Sequence, residues 1–364
     1  MNASSPARPS VAVIGGGYGG INVARQLDDV AEVVLVEPKD TFVHNVALLR
    51  ALADPSWLPR IFLPYDGLLR HGRVLRDRAV KVDAGQVTLG SGQLLDADYI
   101  VLATGSAYPF PAKTDVDDTA AAHDKVRAAH AALETASRVL LIGAGPVGIE
   151  LAGEITAAWP GKHVTLLDAA DDILGARFRA DLKAELRRQL TELGVELLLS
   201  SPLTAEPSVA PGQLGEFTVT TRAGAQVTAD VWFRCYGVTP VSDYLAGTLA
   251  AARDADGFVA VNEFLQVPGQ DRVFALGDVS GADHKMAGAA GRQAPVVASN
   301  IRALIEGGSL TAYQPNPPSI VVPIGPAGGA GQRPGADELV SAELVAELKG
   351  RDMMVDRFAA LFGR

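Results

Sequence analysis

One short segment occurs twice in this chain. Val11-Ala-Val-Ile-Gly-Gly-Gly-Tyr-Gly-Gly20 returns as Val139-Leu-Leu-Ile-Gly-Ala-Gly-Pro-Val-Gly148. Each copy is an apolar run, three spaced glycines and then a helical pattern. The first glycine permits a tight turn, and the second lets the backbone approach a pyrophosphate. The third allows close helix–strand packing, and the helix N-terminus presents its positive dipole end. Gly15, Gly17 and Gly20 fill these places in the first copy, Gly143, Gly145 and Gly148 in the second. Glu37 and Asp168 end the apolar run that follows each copy, where a carboxylate can hold ribose hydroxyls. The chain therefore has two dinucleotide-binding units.

Around these units, short apolar runs alternate with helix-like stretches, the signature of a parallel sheet covered by helices. Residues 11–14, 33–36, 99–103, 139–142, 164–167, 195–199 and 273–276 are expected as buried strands. Residues 217–221 and 227–236 alternate more and are expected as antiparallel additions. The Pro- and Gly-rich stretch 315–335 is expected to be a connector to a C-terminal segment. At 364 residues, two domains are expected rather than one.

Composition narrows the function. A net charge of −10 argues against nucleic acid as the main partner, since phosphate binding needs a basic face. No run approaches a membrane span. Residues 1–10 lack the pattern of a secretory signal, and Asn2 stands where myristoylation needs glycine, so a cytoplasmic location is expected. Cys235 is the only cysteine. It can form no internal disulfide or CxxC centre, and no metal site is expected. A buried core position is expected for it.

Two further segments carry a family resemblance. Tyr99-Ile-Val-Leu-Ala-Thr-Gly-Ser106 ends a strand in Ala-Thr-Gly, and Arg272-Val-Phe-Ala-Leu-Gly-Asp278 ends one in Gly-Asp. With the two glycine motifs, in this order, the chain resembles the two-dinucleotide-binding-domain flavoproteins. That group includes glutathione reductase, type II NADH dehydrogenases and apoptosis-inducing factor. The resemblance implies FAD on the first unit and NADH on the second, with NADPH possible. It implies that Thr104 and Gly105 mark the crossing between domains, and that Asp278, after Gly277, holds the ribityl chain. A narrower resemblance rests on Phe42-Val-His-Asn-Val-Ala-Leu-Leu-Arg50, Pro109-Phe-Pro-Ala-Lys113, Lys285-Met286 and Lys349-Gly-Arg-Asp352. These segments are similar to the ferroptosis suppressor protein family, which implies NAD(P)H-dependent quinone reduction.

The resemblance also suggests roles near the flavin. A helix from Lys285, Met286 and Ala287 to about Leu304 would point its N-terminus at the pyrimidine ring and stabilise negative charge there. Lys113 would lie near N5; a solvated linker lysine is the other reading. His44, with Asn45, could line the acceptor cavity, although a lone histidine is often structural. Glu150 and Glu154 follow the second motif, and Glu154 is expected to be solvated. Met353, Met354, Phe358, Leu361 and Phe362 form an apolar tail stripe, expected to pack on the protein itself, with peripheral membrane contact as the alternative.

The expected fold is α/β, with two Rossmann-like domains. The NAD(P)H domain (115–246) is inserted into the FAD domain (1–114 and 247–314), and residues 315–364 form a small C-terminal segment. With no cysteine pair, reduced flavin would deliver electrons directly to a small acceptor, a quinone first. A ferredoxin- or rubredoxin-type protein acceptor is one alternative, and a slow redox-sensing binding protein is another.

Overall fold

The computed structural model describes residues 8–364; positions 1–7, Asn2 among them, lie outside the described residues. Two parallel sheets organise the chain. The first has five strands in the order Val273–Ala275, Tyr99–Leu102, Ser10–Ile14, Glu32–Val36 and Arg73–Leu75. The second has four, in the order Glu196–Leu198, His163–Leu167, Arg138–Ile142 and Val231–Arg234. In both sheets the strand feeding the glycines lies inside, buried on both faces, as its unbroken apolar sequence requires.

One strand departs from expectation. Residues 227–236 divide at Asp230. Gln226–Ala229 does pair antiparallel, with Phe217–Thr220, but Val231–Arg234 joins the parallel sheet beside Arg138–Ile142. The Asp230 carboxylate accepts the backbone N–H groups of Ser137 (3.1 Å) and Arg138 (2.8 Å), which fixes the turn between the two sheets. Val231, Trp232 and Phe233 beyond it are buried.

The helix after each glycine motif packs differently. Tyr18–Leu27 buries Ile21, Val23, Ala24 and Leu27, and its neighbour is the helix Ala287–Glu306. Pro146–Ala158 is covered on several sides. The helix Leu48–Ala53 lies on one side and the hairpin Ile320–Ile324/Gly328–Gln332 on another. A side chain at Gly153 would meet the Ile324 Cα at 2.6 Å, so glycine is what lets the hairpin approach. The stretch expected as a connector is therefore a packed hairpin.

The tail is not one helix but several short turns, and it packs on the protein itself. Met353 and Phe362 are buried; Phe358 lies 5.0 Å from the Tyr18 ring and 6.0 Å from Phe42. Met353 (φ 52°) and Met354 (φ 60°) are consecutive left-handed residues. Each such conformation costs on the order of 1 kcal/mol and persists only where its surroundings impose it. No helix of the described residues is long and apolar enough to cross a membrane.

Candidate functional site

The two glycine motifs adopt the same backbone. Gly15 (φ 104°) and Gly143 (φ 112°) are left-handed, and a Cβ at Gly15 would stand 2.5 Å from the Ala103 carbonyl oxygen. Side chains at Gly20 or Gly148 would collide with the carbonyl oxygen of Gly15 or Gly143. At Gly17 and Gly145 a Cβ would meet nothing within 4 Å. Each of these two glycines caps its helix without a side-chain acceptor, so first-turn N–H groups face open space. That combination, tight behind and empty in front, fits a pyrophosphate at both places.

The acids close the two loops alike. Gly16 N–H donates to Glu37 Oε2 at 2.6 Å, and Ala144 N–H donates to Asp168 Oδ2 at 2.6 Å. Burial pushes the Glu37 carboxyl up, against the pull of the N–H groups of Gly16 and Lys39.

A cavity of about 890 Å³ runs from the first motif to the second unit, within the range of ligand sites. Gly15, Gly17 and Glu37 line it from the first unit, Pro146, Val147 and Glu150 from the second. Thr104 and Gly105, Lys113, Gly277 and Asp278, and Lys285, Met286 and Ala287 line it too. Gly143, Gly145, Gly148 and Asp168 are not part of its lining. The helix expected at Lys285 runs from Ala287 to Glu306, and no side chain caps its cavity end at Met286. Lys285 lies over the Phe258 ring, 4.7 Å from its centre.

Asp278 and Lys113 meet through Ser106. Ser106 Oγ donates to Asp278 Oδ2 at 2.6 Å. Lys113 Nζ donates to the Ser106 carbonyl and Oγ, both at 2.8 Å, and to Asp278 Oδ2 at 3.3 Å. All three ammonium protons are engaged, while Asp278 keeps Oδ1 for another donor. Thr104 spends its hydroxyl on the Val241 carbonyl at 2.6 Å, with Tyr244 Oη at 2.9 Å, so it joins the segments that meet at the crossing.

His44 is a correction. It does not line the cavity: it is fully buried, and both ring nitrogens are occupied. Nε2 lies 2.7 Å from the Met353 carbonyl, so it carries the proton. Nδ1 then accepts from Tyr18 Oη at 3.0 Å, and Tyr18 Oη accepts the Val46 N–H at 3.1 Å. Burial pulls the imidazole down to about 4. A neutral ring ending on a backbone carbonyl passes no proton to solvent. Asn45 does line the cavity.

Glu154 is a second correction. Instead of being solvated it is 2% exposed and takes both arms of the Arg50 guanidinium, one at 2.8 Å. One turn earlier, Glu150 Oε1 accepts from Lys349 Nζ at 2.6 Å. Burial raises both carboxyls, and the paired cations offset part of that. The sequence reading did not single out Lys349, Arg50 or Ser106 as site residues. Only the spacing of Glu150 and Glu154, which puts both on one helix face, signalled a common role.

Two Rossmann units opening toward one cavity define a flavoprotein linked to pyridine nucleotides. The chain belongs to the pyridine nucleotide-disulphide oxidoreductase family, whose model matches residues 9–298. It is 32% identical to ferroptosis suppressor protein 1 of Taeniopygia guttata, over 95% of this chain and 94% of that one. It is 27% identical to apoptosis-inducing factor homolog B of Dictyostelium discoideum, over 96% and 95%. The sulfide:quinone oxidoreductase of Aquifex aeolicus shares the fold, with a TM-score of 0.76 at 18% identity, over 97% of this chain and 91% of that one. The protein is an FAD-dependent oxidoreductase that works with NAD(P)H.

Proposed function

We propose that the enzyme takes hydride from NADH on the second unit, passes it to FAD on the first, and delivers the electrons directly to a quinone. The observation that carries this reading is Cys235. The family description names a disulphide, yet this chain has one cysteine. It is 2% exposed, and burial pushes its thiol up to about 12. No dithiol stands between cofactor and acceptor.

On this reading residues 1–114 and 247–314 are the FAD domain, 115–246 the inserted nicotinamide domain, and 315–364 the C-terminal segment. FAD supplies the hydride and electron chemistry when bound; the chain supplies position and charge. Gly15, Gly17 and Gly20 admit its pyrophosphate, Glu37 takes the ribose and Asp278 Oδ1 the ribityl chain. Lys113 holds Asp278 in place and adds positive charge to the cavity, and the end of the helix at Ala287 favours negative charge there. Gly143, Gly145, Gly148 and Asp168 do the same binding work for NADH. The Glu150–Lys349 pair closes the nicotinamide end.

Asp168 also sets the nucleotide preference, because a carboxylate repels a 2′-phosphate. Neither Arg177 nor Arg179 turns back to cancel it: Arg179 pairs with Asp181 at 2.5 Å, and Arg177 lies over the Phe178 ring. NADH oxidation measured against quinones, a ferredoxin and dioxygen tests the proposal. Quinone should be reduced fastest. Turnover with ferredoxin alone, or no multiple turnover with any acceptor, would replace this reading with one of its two rivals.

A further inference from the structure

We propose that Arg50 is a positioning residue for the Glu150–Lys349 pair, acting through a five-residue strap, 349–353, at the start of the tail. The inference rests on the reading that this pair closes the nicotinamide end of the cavity. Three of its five residues are held from outside. Lys349 Nζ donates to Glu150 at 2.6 Å, Arg50 Nη2 donates to the Gly350 carbonyl at 2.8 Å, and His44 Nε2–H donates to the Met353 carbonyl at 2.7 Å. A side chain at Gly350 would stand 3.0 Å from the Pro326 carbonyl oxygen, so the hairpin tip backs the strap from outside. Met353 and Met354 remain left-handed only while these contacts last.

Among the described residues outside the strap, Arg50 is the one whose side chain hydrogen-bonds to both the strap and the helix that carries Glu150. Its guanidinium takes Glu154 with two arms while Nη2 also reaches Gly350. Glu150 and Glu154 lie one turn apart on one helix face, and Lys349 and Gly350 are adjacent. The contacts therefore form two rungs between helix and strap: Glu150–Lys349 and Glu154–Arg50–Gly350. The first rung lines the cavity, whereas Arg50 and Glu154 do not. Arg50 lies behind the cavity wall, so its influence on the reaction passes through Lys349. Stability alone does not call for a buried ion pair here, since apolar residues of like volume commonly serve as well.

The test uses the FAD-loaded full chain. Arg50→Met combined with Glu154→Met removes both charges together, which avoids stranding one in the core. Arg50→Lys keeps a cation for Glu154 but loses the fork that reaches Gly350. Both variants should keep the flavin spectrum and bind NADH within a few-fold of wild type. Amide exchange across 349–354 should accelerate, and flavin reduction at saturating NADH should slow about tenfold, as a modest misplacement of a positioned group does. Lys349→Met should slow it similarly, and the Arg50 change should add nothing in that background. Unchanged exchange, or effects that add in full, would overturn the strap. A wild-type flavin that NADH does not reduce would instead overturn the reading of the site, while the exchange measurement would still decide the strap.

Discussion

The first and second glycine motifs are nearly the same object in different surroundings. Their helix-capping glycines share φ values of −78° and −75°, and both acids close their loops at 2.6 Å. What differs is the cover. The first motif lines the large cavity, and Tyr65 lies across it, donating to the Gly16 carbonyl at 2.9 Å. The glycines of the second motif lie outside that lining, and the packing concentrates on the helix behind them. The lesson concerns exchange. One loop geometry serves a group that stays when other segments close over it, and a nucleotide that comes and goes when they do not.

The largest effects are expected at the third glycines. Gly20→Ala forces a methyl into the Gly15 carbonyl and against the Ala103 Cβ at 3.4 Å. The strand and helix must separate, at a cost of about 3 kcal/mol or more. Colourless protein of lowered melting temperature is expected. Gly148→Ala meets the Gly143 carbonyl in the same way, and should lose NADH binding while staying yellow. Loss of flavin from the Gly148 variant would show that the two units are not separable.

A finer cut uses the second glycines, where extended backbone accepts any residue and an added Cβ meets no protein atom. Gly17→Val and Gly145→Val should therefore fold normally and obstruct only the ligand. The first should prevent FAD retention. The second should keep FAD and raise the KM for NADH at least tenfold, the loss of about one charge-assisted hydrogen bond. An unchanged KM would put the nicotinamide nucleotide elsewhere.

Such differences show what a sequence can carry. The glycine motifs, their acids and the strands feeding them are local, so spacing and residue type give them away. The two buried rungs are not local. Arg50 meets Glu154 104 positions on, and Lys349 meets Glu150 across 199. A helix wheel shows that the two glutamates share a face but not that other segments cover it. Residues 227–236 misled for a related reason: a strand buried on both faces has no reliable alternation, and the turn at Asp230 depends on Ser137 and Arg138. His44 looked like a cavity residue because its position in the motif says nothing about Met353.

Smaller effects are expected at Asp168 and His44. Asp168→Ala should cut the preference for NADH over NADPH by about tenfold, the worth of a charged hydrogen bond to the ribose. Equal specificity constants for both nucleotides in the unsubstituted enzyme would mean that Asp168 does not face the ribose. His44 belongs to the cover of the first unit and gives that cover an acid sensitivity. Folded His44 titrates near 4, an unfolded histidine near 6.5. As pH falls through that interval the unfolded chain binds a proton that the folded chain refuses, so stability falls with it. Above about 6.5 the contribution is level, and by pH 4 about 3 kcal/mol has gone. His44→Gln can still donate to Met353 and accept from Tyr18, and its urea midpoint should fall less between pH 7 and pH 4.5. An identical fall in both proteins would mean that the imidazole is not held neutral.

The smallest effect is expected at Cys235, which has a counterpart in the first unit. A Cβ at Gly143 would stand 2.9 Å from the Cys235 backbone, just as one at Gly15 would stand 2.5 Å from that of Ala103. Cys235 and Ala103 thus occupy corresponding places, each ending the strand beside the glycine strand. The first unit works with a methyl there, so nothing in the design of such a unit demands sulfur. Its Sγ has only the Phe233 carbonyl at 3.9 Å, and a thiol pushed up to about 12 stays protonated and unreactive at neutral pH. Cys235→Ala should cost on the order of 1 kcal/mol for the emptied volume. Cys235→Ser should cost about as much for burying a hydroxyl. Both should reduce quinone within a few-fold of wild type. Lost turnover in a variant that still holds flavin would give the thiol a part in electron transfer, and direct delivery to the acceptor would then fail.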